Sequence, residues 1–161
     1  MIREANAADA ARLAEIYNHY VLHSIVTFEE EPVPASEMAA RLDEIRAASL
    51  PWLVVEDKGQ VAGYAYASKW KGRCAYRFSA EVTVYLDPAC GGRGLGSALY
   101  GKLFPALSER GMHAAMGGIA LPNPASVALH EKFGMVKVAH FKEVGFKFGG
   151  WIDVGYWQCT L

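Results

Sequence analysis

The stretch from Glu81 to Ser97 constrains this chain more than any other. Glu81-Val82-Thr83-Val84-Tyr85-Leu86 is rich in β-branched and aromatic residues and reads as a strand that Asp87-Pro88 brings to an end. Gly91-Gly92-Arg93-Gly94-Leu95-Gly96-Ser97 follows, and then a helical period takes over at Leu95, Leu99, Leu103 and Leu107. Glycines at 92, 94 and 96 let the backbone turn sharply and aim successive N–H groups into one concavity. They also leave out the Cβ atoms that would block an approaching ligand. A helix starting near Leu95 adds its positive end and Arg93 a full charge, so the turn suits a pyrophosphate. No Gly-Lys-Ser/Thr is present, which excludes a nucleoside-triphosphate P-loop. The turn also lies mid-chain behind antiparallel-type strands, away from the first βαβ unit that dinucleotide-binding folds use.

The rest of the chain supplies one domain, residues 1–161, around that turn. Ile2 to Ala5 reads as a short strand, and Asn6 caps a helix with Leu13, Ile16, Tyr17, Tyr20 and Val21 on one face. His23 to Pro34 reads as a loop, with a possible extended piece at Val26-Thr27-Phe28. Ser36 is expected to cap a second helix with Met38, Leu42 and Ile45 inward. Trp52–Glu56 and Gln60–Lys69 form a hairpin about Asp57-Lys58-Gly59, and a long strand is expected over Tyr76–Leu86. The helix over Leu95–Glu109 contains Pro105, which should kink it. His113–Ile119 is a strand, Ala125–Phe133 a short helix, and Met135–Leu161 is β-rich with a turn at Gly149-Gly150. This order predicts an α+β fold: a central mixed, mostly antiparallel twisted sheet with helices on both faces.

Charge and composition remove several function classes. A net charge of -1 leaves no basic stripe for nucleic acid. No apolar run approaches the ~20 residues of a membrane span, and the N-terminus lacks a signal-peptide layout. Cys74, Cys90 and Cys159 follow no metal-ligand spacing, so a reduced, cytoplasmic protein without a metal is expected. Cys90 reads as a small residue filling a tight loop.

A second motif lies downstream: Ile119-Ala120-Leu121-Pro122-Asn123-Pro124-Ala125-Ser126, then a short helix closing at Phe133-Gly134. Together with the glycine turn it resembles the GNAT acetyltransferases. More narrowly, the chain resembles the phosphinothricin and methionine sulfoximine/sulfone acetyltransferases. That resemblance rests on Thr27-Phe28-Glu29-Glu30, Trp70 to Tyr76, Glu81 to Tyr85, Gly145-Phe146-Lys147 and Trp151 through Gln158. It implies a GNAT-type acyl-CoA N-acyltransferase fold, acetyl-CoA as cosubstrate, no metal, a small amino-acid-like acceptor and a homodimer. One departure is Gly91, where the family's turn usually opens with Arg or Gln.

The resemblance also assigns roles. Val84, Tyr85 and Leu86 offer backbone groups to the thioester arm. Gly92, Arg93, Gly94, Leu95, Gly96 and Ser97 hold the pyrophosphate, and Asn123 bonds the pantetheine. Glu81, with Thr83 two residues on along the same face, is the candidate general base. His130 is a candidate acid or base, and read alone is equally a satisfied packing residue. Lys71, Gly72 and Arg73 would meet the acceptor's carboxylate, with Arg73 able to clasp it bidentately. Phe28 and Tyr76 would wall the side-chain pocket and Glu29 accept an N–H. Without the resemblance, Lys71 and Arg73 read as a solvated loop and Glu81 as a surface carboxylate. Trp151 reads equally as interface or core. Two other functions stay open: a GNAT enzyme acting on a protein or polyamine amine, and an acyl-CoA-binding module without turnover.

Overall fold

Seven strands make one sheet in a computed structural model that describes all 161 residues. In chain order they are β1 (Ile2–Glu4), β2 (Trp52–Asp57), β3 (Gln60–Lys69), β4 (Ser79–Leu86), β5 (Ala114–Leu121), β6 (Val136–Lys147) and β7 (Gly150–Thr160). In space the order is β1-β2-β3-β4-β5-β7-β6, antiparallel throughout except between β4 and β5. The helices are α1 (Ala10–His23), α2 (Ala35–Ala47), α3 (Leu95–Glu109) and α4 (Pro124–Lys132).

Strand parity decides which helix covers which face. The β3–β4 register places Tyr64 opposite Tyr85, Tyr66 opposite Thr83 and Ser68 opposite Glu81, all on one face. Tyr85 packs edge-on against Tyr17 of α1 at 5.2 Å, and Arg41 of α2 lies over the Tyr17 ring, so α1 and α2 cover that side. Val82, Val84 and Leu86 point the other way, toward α3 and α4. Leu99, Leu103 and Leu107 of α3 are fully buried there. Truncating one of them, Leu103→Ala for example, would cost about 2–5 kcal/mol of stability.

Local chemistry moved several boundaries. Asn6 and Asp9 form a reciprocal capping box, but around a 3-10 turn, Ala7–Asp9, that precedes α1. Helix α2 begins at Ala35 after Pro34, so Ser36 sits inside its first turn and caps nothing. β4 starts at Ser79 because Tyr76 and Arg77 close a 3-10 turn onto Arg73 and Cys74. α3 runs from Leu95 to Glu109 with Pro105 inside it and stays one helix. Val26-Thr27-Phe28 pairs with no strand; the Ser24 hydroxyl accepts the Val26 N–H, and Lys147 donates to the Thr27 carbonyl. Trp151 is no core residue: it is 66% exposed and packs on Phe146 at 4.8 Å on the outer face of the β6–β7 hairpin.

Candidate active site

β4 and β5 pair at only three positions, Ser79 with Ala114, Ala80 with Ala115 and Glu81 with Met116. Beyond Glu81 each strand stays with its outer neighbour. β4 follows β3 as far as Gly63–Leu86, and β5 follows β7 as far as Leu121–Asp153, so the two diverge. Backbone groups alternate in direction along a strand. Asp87 donates its N–H to Ala62 on the β3 side, so the groups of Val84 and Leu86 face the gap. The Leu86 carbonyl confirms this direction by accepting from the Tyr20 hydroxyl at 2.5 Å. The gap is a cleft of 410 Å³ whose walls include Thr83, Val84, Tyr85, Leu86, Gly118 and Ala120.

The glycine turn closes one end of this cleft with Gly91, Gly92 and Gly96 in its wall. Gly92 and Gly94 have φ of +71° and +76°, a region that other L-residues rarely adopt, and Gly94 is the N-cap of α3. None of the seven backbone N–H groups from Gly91 to Ser97 has an acceptor in the protein. The first helical bond is Ala98 N–H to the Gly94 carbonyl. Unpaired donors at a helix N-terminus are an anion site, and a pyrophosphate fits them. Arg93 is turned toward another partner. Its guanidinium forks onto Asp57 of the β2–β3 turn at 2.8 and 3.1 Å and lies outside the cleft wall. The Ser97 hydroxyl accepts from Lys132 at 3.0 Å.

On the α4 side, Asn123 caps the helix by accepting from Ser126 N–H at 3.1 Å, and both residues line the cleft. His130 lines it too, although only 3% exposed. Its Nδ1 lies 2.7 Å from the Ser126 carbonyl, which only accepts, so Nδ1 carries the proton. Nε2 is then the acceptor for the Tyr100 hydroxyl at 3.1 Å. Burial pulls the His130 pKa down, so the ring is neutral and has no Nε2 proton to give. Glu81 makes the last β4–β5 pair, with Met116, where the strands begin to part; it is outside the cleft wall, on the opposite sheet face from His130. Burial raises its pKa and the Lys71 ammonium partly opposes that rise. Beside it, Trp70 packs on Tyr156 at 5.4 Å with Lys71 over the Trp70 ring.

The family description "Acetyltransferase (GNAT) domain" matches residues 2–155. The chain belongs to the GNAT acetyltransferase family. It is 43% identical over 157 residues to a phosphinothricin N-acetyltransferase of Streptomyces viridochromogenes, covering 98% of this chain and 85% of that protein. An L-methionine sulfoximine/L-methionine sulfone acetyltransferase of Salmonella typhimurium is 36% identical over 160 residues, covering 99% and 94%. A solved GNAT phosphinothricin acetyltransferase from Sinorhizobium meliloti, in complex with acetyl-CoA, superposes with a TM-score of 0.97 at 38% identity. That superposition covers 100% of this chain and 88% of the other.

In this GNAT chain the cleft brings together Thr83, Val84, Tyr85, Leu86, Gly92, Gly96, Asn123 and His130 from the residues singled out in the sequence. Gly94, the N-cap of α3, and Leu95, its first residue, lie outside the cleft wall. Lys71, Gly72, Arg73 and Tyr76 stand in an exposed loop outside the wall, and Arg73 has no ion-pair partner. Glu29 is already held by Arg41 at 2.5 Å, and Phe28 lies against Gly145 of β6. Sequence reasoning missed Tyr20, Val26, Tyr100 and Ser126, all in the cleft wall. Tyr20 read as a plain helix-face residue and Tyr100 was not singled out, and only the fold reveals where their hydroxyls point. No group of three or more His, Cys, Asp or Glu side chains is arranged to hold a metal.

Proposed function

We propose that the chain is an acetyl-CoA-dependent N-acetyltransferase that acetylates the α-amino group of a small amino acid or analogue, of the methionine sulfoximine, methionine sulfone or phosphinothricin kind. The observation that carries the first half is the run of unpaired N–H groups from Gly91 to Ser97, opening onto the cleft between β4 and β5. The acceptor class is supported by the relatives named above and by Lys71, whose ammonium acts on Glu81, with Arg73 unpaired in the same loop.

Acetyl-CoA supplies an activated thioester acyl group. The backbone groups of Val84 and Leu86 hold that arm along β4, while Gly91 to Ser97 and Asn123 anchor the remainder. Glu81 takes a proton from the acceptor ammonium, which frees the nitrogen lone pair to attack the acyl carbon. Its raised pKa makes it a better base than an exposed glutamate. The second nitrogen proton leaves with the thiolate when the adduct collapses, so no acid is required of His130. The neutral His130 keeps the Tyr100 hydroxyl fixed in the cleft wall.

The same reading includes a homodimer in the cytoplasm. Seven of the twelve exposed large apolar side chains lie between Val136 and Trp151, on the edge hairpin β6–β7, and a second copy of that face would cover them. Three free cysteines fit a reducing compartment. Sedimentation at micromolar concentration should return twice the chain mass, and a Val144→Asp variant should return the single mass.

The deciding experiment is thiol release from acetyl-CoA across free amino acids, methionine sulfoximine, phosphinothricin, their carboxamides, polyamines and a protein N-terminal peptide. Turnover on the free acids with weak response to the carboxamides is expected. Turnover only on the peptide or a polyamine would move the enzyme to another acceptor class. Binding of acetyl-CoA without turnover on any acceptor would leave a binding module.

A further inference from the structure

The loop Ile25–Val33 makes no backbone-to-backbone hydrogen bond at all, although it carries Val26 of the cleft wall, with Phe28 and Glu29, which the family resemblance places beside the acceptor, next along the chain. Side chains from elsewhere hold it. Asn18 brackets its far end, donating to the Val33 carbonyl at 2.8 Å and accepting the Val33 N–H at 2.7 Å. The Tyr17 hydroxyl meets Thr27 Oγ1 at 2.7 Å, and Arg41 takes Glu29. The one tether from the far side of the chain is Lys147, which donates from Nζ to the Thr27 carbonyl at 2.8 Å.

Lys147 is an unusual residue to find there. It is 3% exposed and forms no ion pair, whereas lysine almost never buries unpaired. Its ammonium sits beside the last turn of α1, 3.5 Å from the Tyr20 carbonyl, where helix carbonyls concentrate negative potential. The strand that delivers it is placed by the sheet. Leu121–Asp153 is the last β5–β7 pair, so the hairpin tip, Lys147 to Ile152, projects beyond the end of β5 on the open side of the cleft. Gly145 is two residues before Lys147 on the same inward face. A Cβ there would come within 2.5 Å of the Phe28 ring, so the ring rests directly on the strand backbone.

We propose that Lys147 is a positioning residue for the acceptor: with Gly145 it docks the Ile25–Val33 loop on the β6–β7 hairpin and so sets where Phe28 and Glu29 stand. The acceptor part of this inference rests on the function proposed above. Lys147 makes no hydrogen bond to Gly91 through Ser97, and the loop meets the shared cleft only through Val26, so the tether is expected to act first on the acceptor.

Three variants of the full-length protein test this. Lys147→Met keeps the chain length and loses the donor, Lys147→Arg keeps a donor, and Gly145→Ala displaces Phe28 without touching the lysine. For Lys147→Met the acceptor KM should rise about ten- to a hundredfold, as expected for loss of one hydrogen bond from a charged donor. Its kcat should stay within about threefold and its acetyl-CoA affinity should not change, while Lys147→Arg should restore part of the loss. Gly145→Ala should reproduce the KM effect. In the free proteins, amide exchange across residues 25–33 should accelerate in Lys147→Met and Gly145→Ala while exchange across 91–97 stays as in wild type. An unchanged KM, unchanged exchange in the loop, or a parallel loss of acetyl-CoA affinity overturns the proposal. Should Lys147→Met fail to fold, Gly145→Ala decides on the same readouts. Should the wild type accept no free amino acid, the acceptor reading falls, and the exchange comparison alone decides the tether.

Discussion

Residues 91–97 and residues 25–33 both reach the cleft, and they are held in opposite ways. The turn at 91–97 leaves its backbone N–H groups free for a ligand and takes its shape from glycines at φ near +70°. The loop at 25–33 has no backbone bonds of its own and takes its shape from Asn18, Tyr17, Arg41 and Lys147. Backbone recognition suits a pyrophosphate, the part of acetyl-CoA that stays the same whatever the acceptor. Side-chain tethers would suit the acceptor role proposed for the loop, since single substitutions can reshape a wall held by side chains.

The largest expected effect separates chemistry from both segments. Glu81→Gln keeps the shape where β4 and β5 begin to part and cannot take a proton, so kcat should fall about 10²–10⁴-fold while acetyl-CoA affinity holds. The sign of the pH dependence follows from the raised Glu81 pKa. The base works deprotonated, so the rate should fall as pH drops through that raised pKa, giving an acidic limb above the ordinary glutamate value. Lys71 holds the pKa down, and Lys71→Met should move the limb to higher pH. In Glu81→Gln the limb should vanish. Near-normal turnover of Glu81→Gln at neutral pH would remove the assignment and return attention to His130.

Next in size is a break confined to the turn. Valine is strongly disfavoured at the φ of +76° that Gly94 adopts at the start of α3. Gly94→Val should therefore misdirect the N–H groups and weaken acetyl-CoA by roughly a hundredfold, the scale of losing two charge-assisted hydrogen bonds. Amide exchange across 25–33 should stay unchanged. Calorimetry showing wild-type affinity in a folded Gly94→Val protein would mean that the turn does not bind the cofactor.

The contrast also explains what the sequence made legible. Gly92, Gly94 and Gly96 stand close together in the chain, and their backbone freedom is local, so the turn could be read directly. The turn at Asp57-Lys58-Gly59 marked the β2–β3 hairpin, and Phe133-Gly134 marked the end of the short helix that became α4. The loop at 25–33 could not be read the same way. Lys147 lies 120 residues from Thr27, and nothing local to either says that they meet. Glu29 looked free for a substrate until α2 brought Arg41 beside it. Ser36 misled because Pro34 already fixes the entry to α2. The His130 tautomer needed the Ser126 carbonyl and Tyr100 hydroxyl in place before any role could be weighed.

The smallest expected effect is the sharpest test of the backbone account. The sequence put a full positive charge, Arg93, at the centre of the pyrophosphate turn, and the fold directs that charge onto Asp57. Both side chains are solvent-accessible, so salt and water screen the pair and its loss should not unfold the turn. If Gly91 to Ser97 bind through N–H groups, Arg93→Ala should change acetyl-CoA affinity by less than about threefold at physiological ionic strength. Asp57→Ala should release Arg93 to swing toward the phosphates, and affinity should then rise slightly, most visibly at low salt. Making Arg93→Ala in the Asp57→Ala background completes a double-mutant cycle. A larger loss there than in wild type would show that Asp57 restrains an arginine otherwise able to serve the cofactor. A tenfold loss from Arg93→Ala alone would mean that the guanidinium leaves Asp57 on binding, and the turn would then owe its hold to a side chain after all.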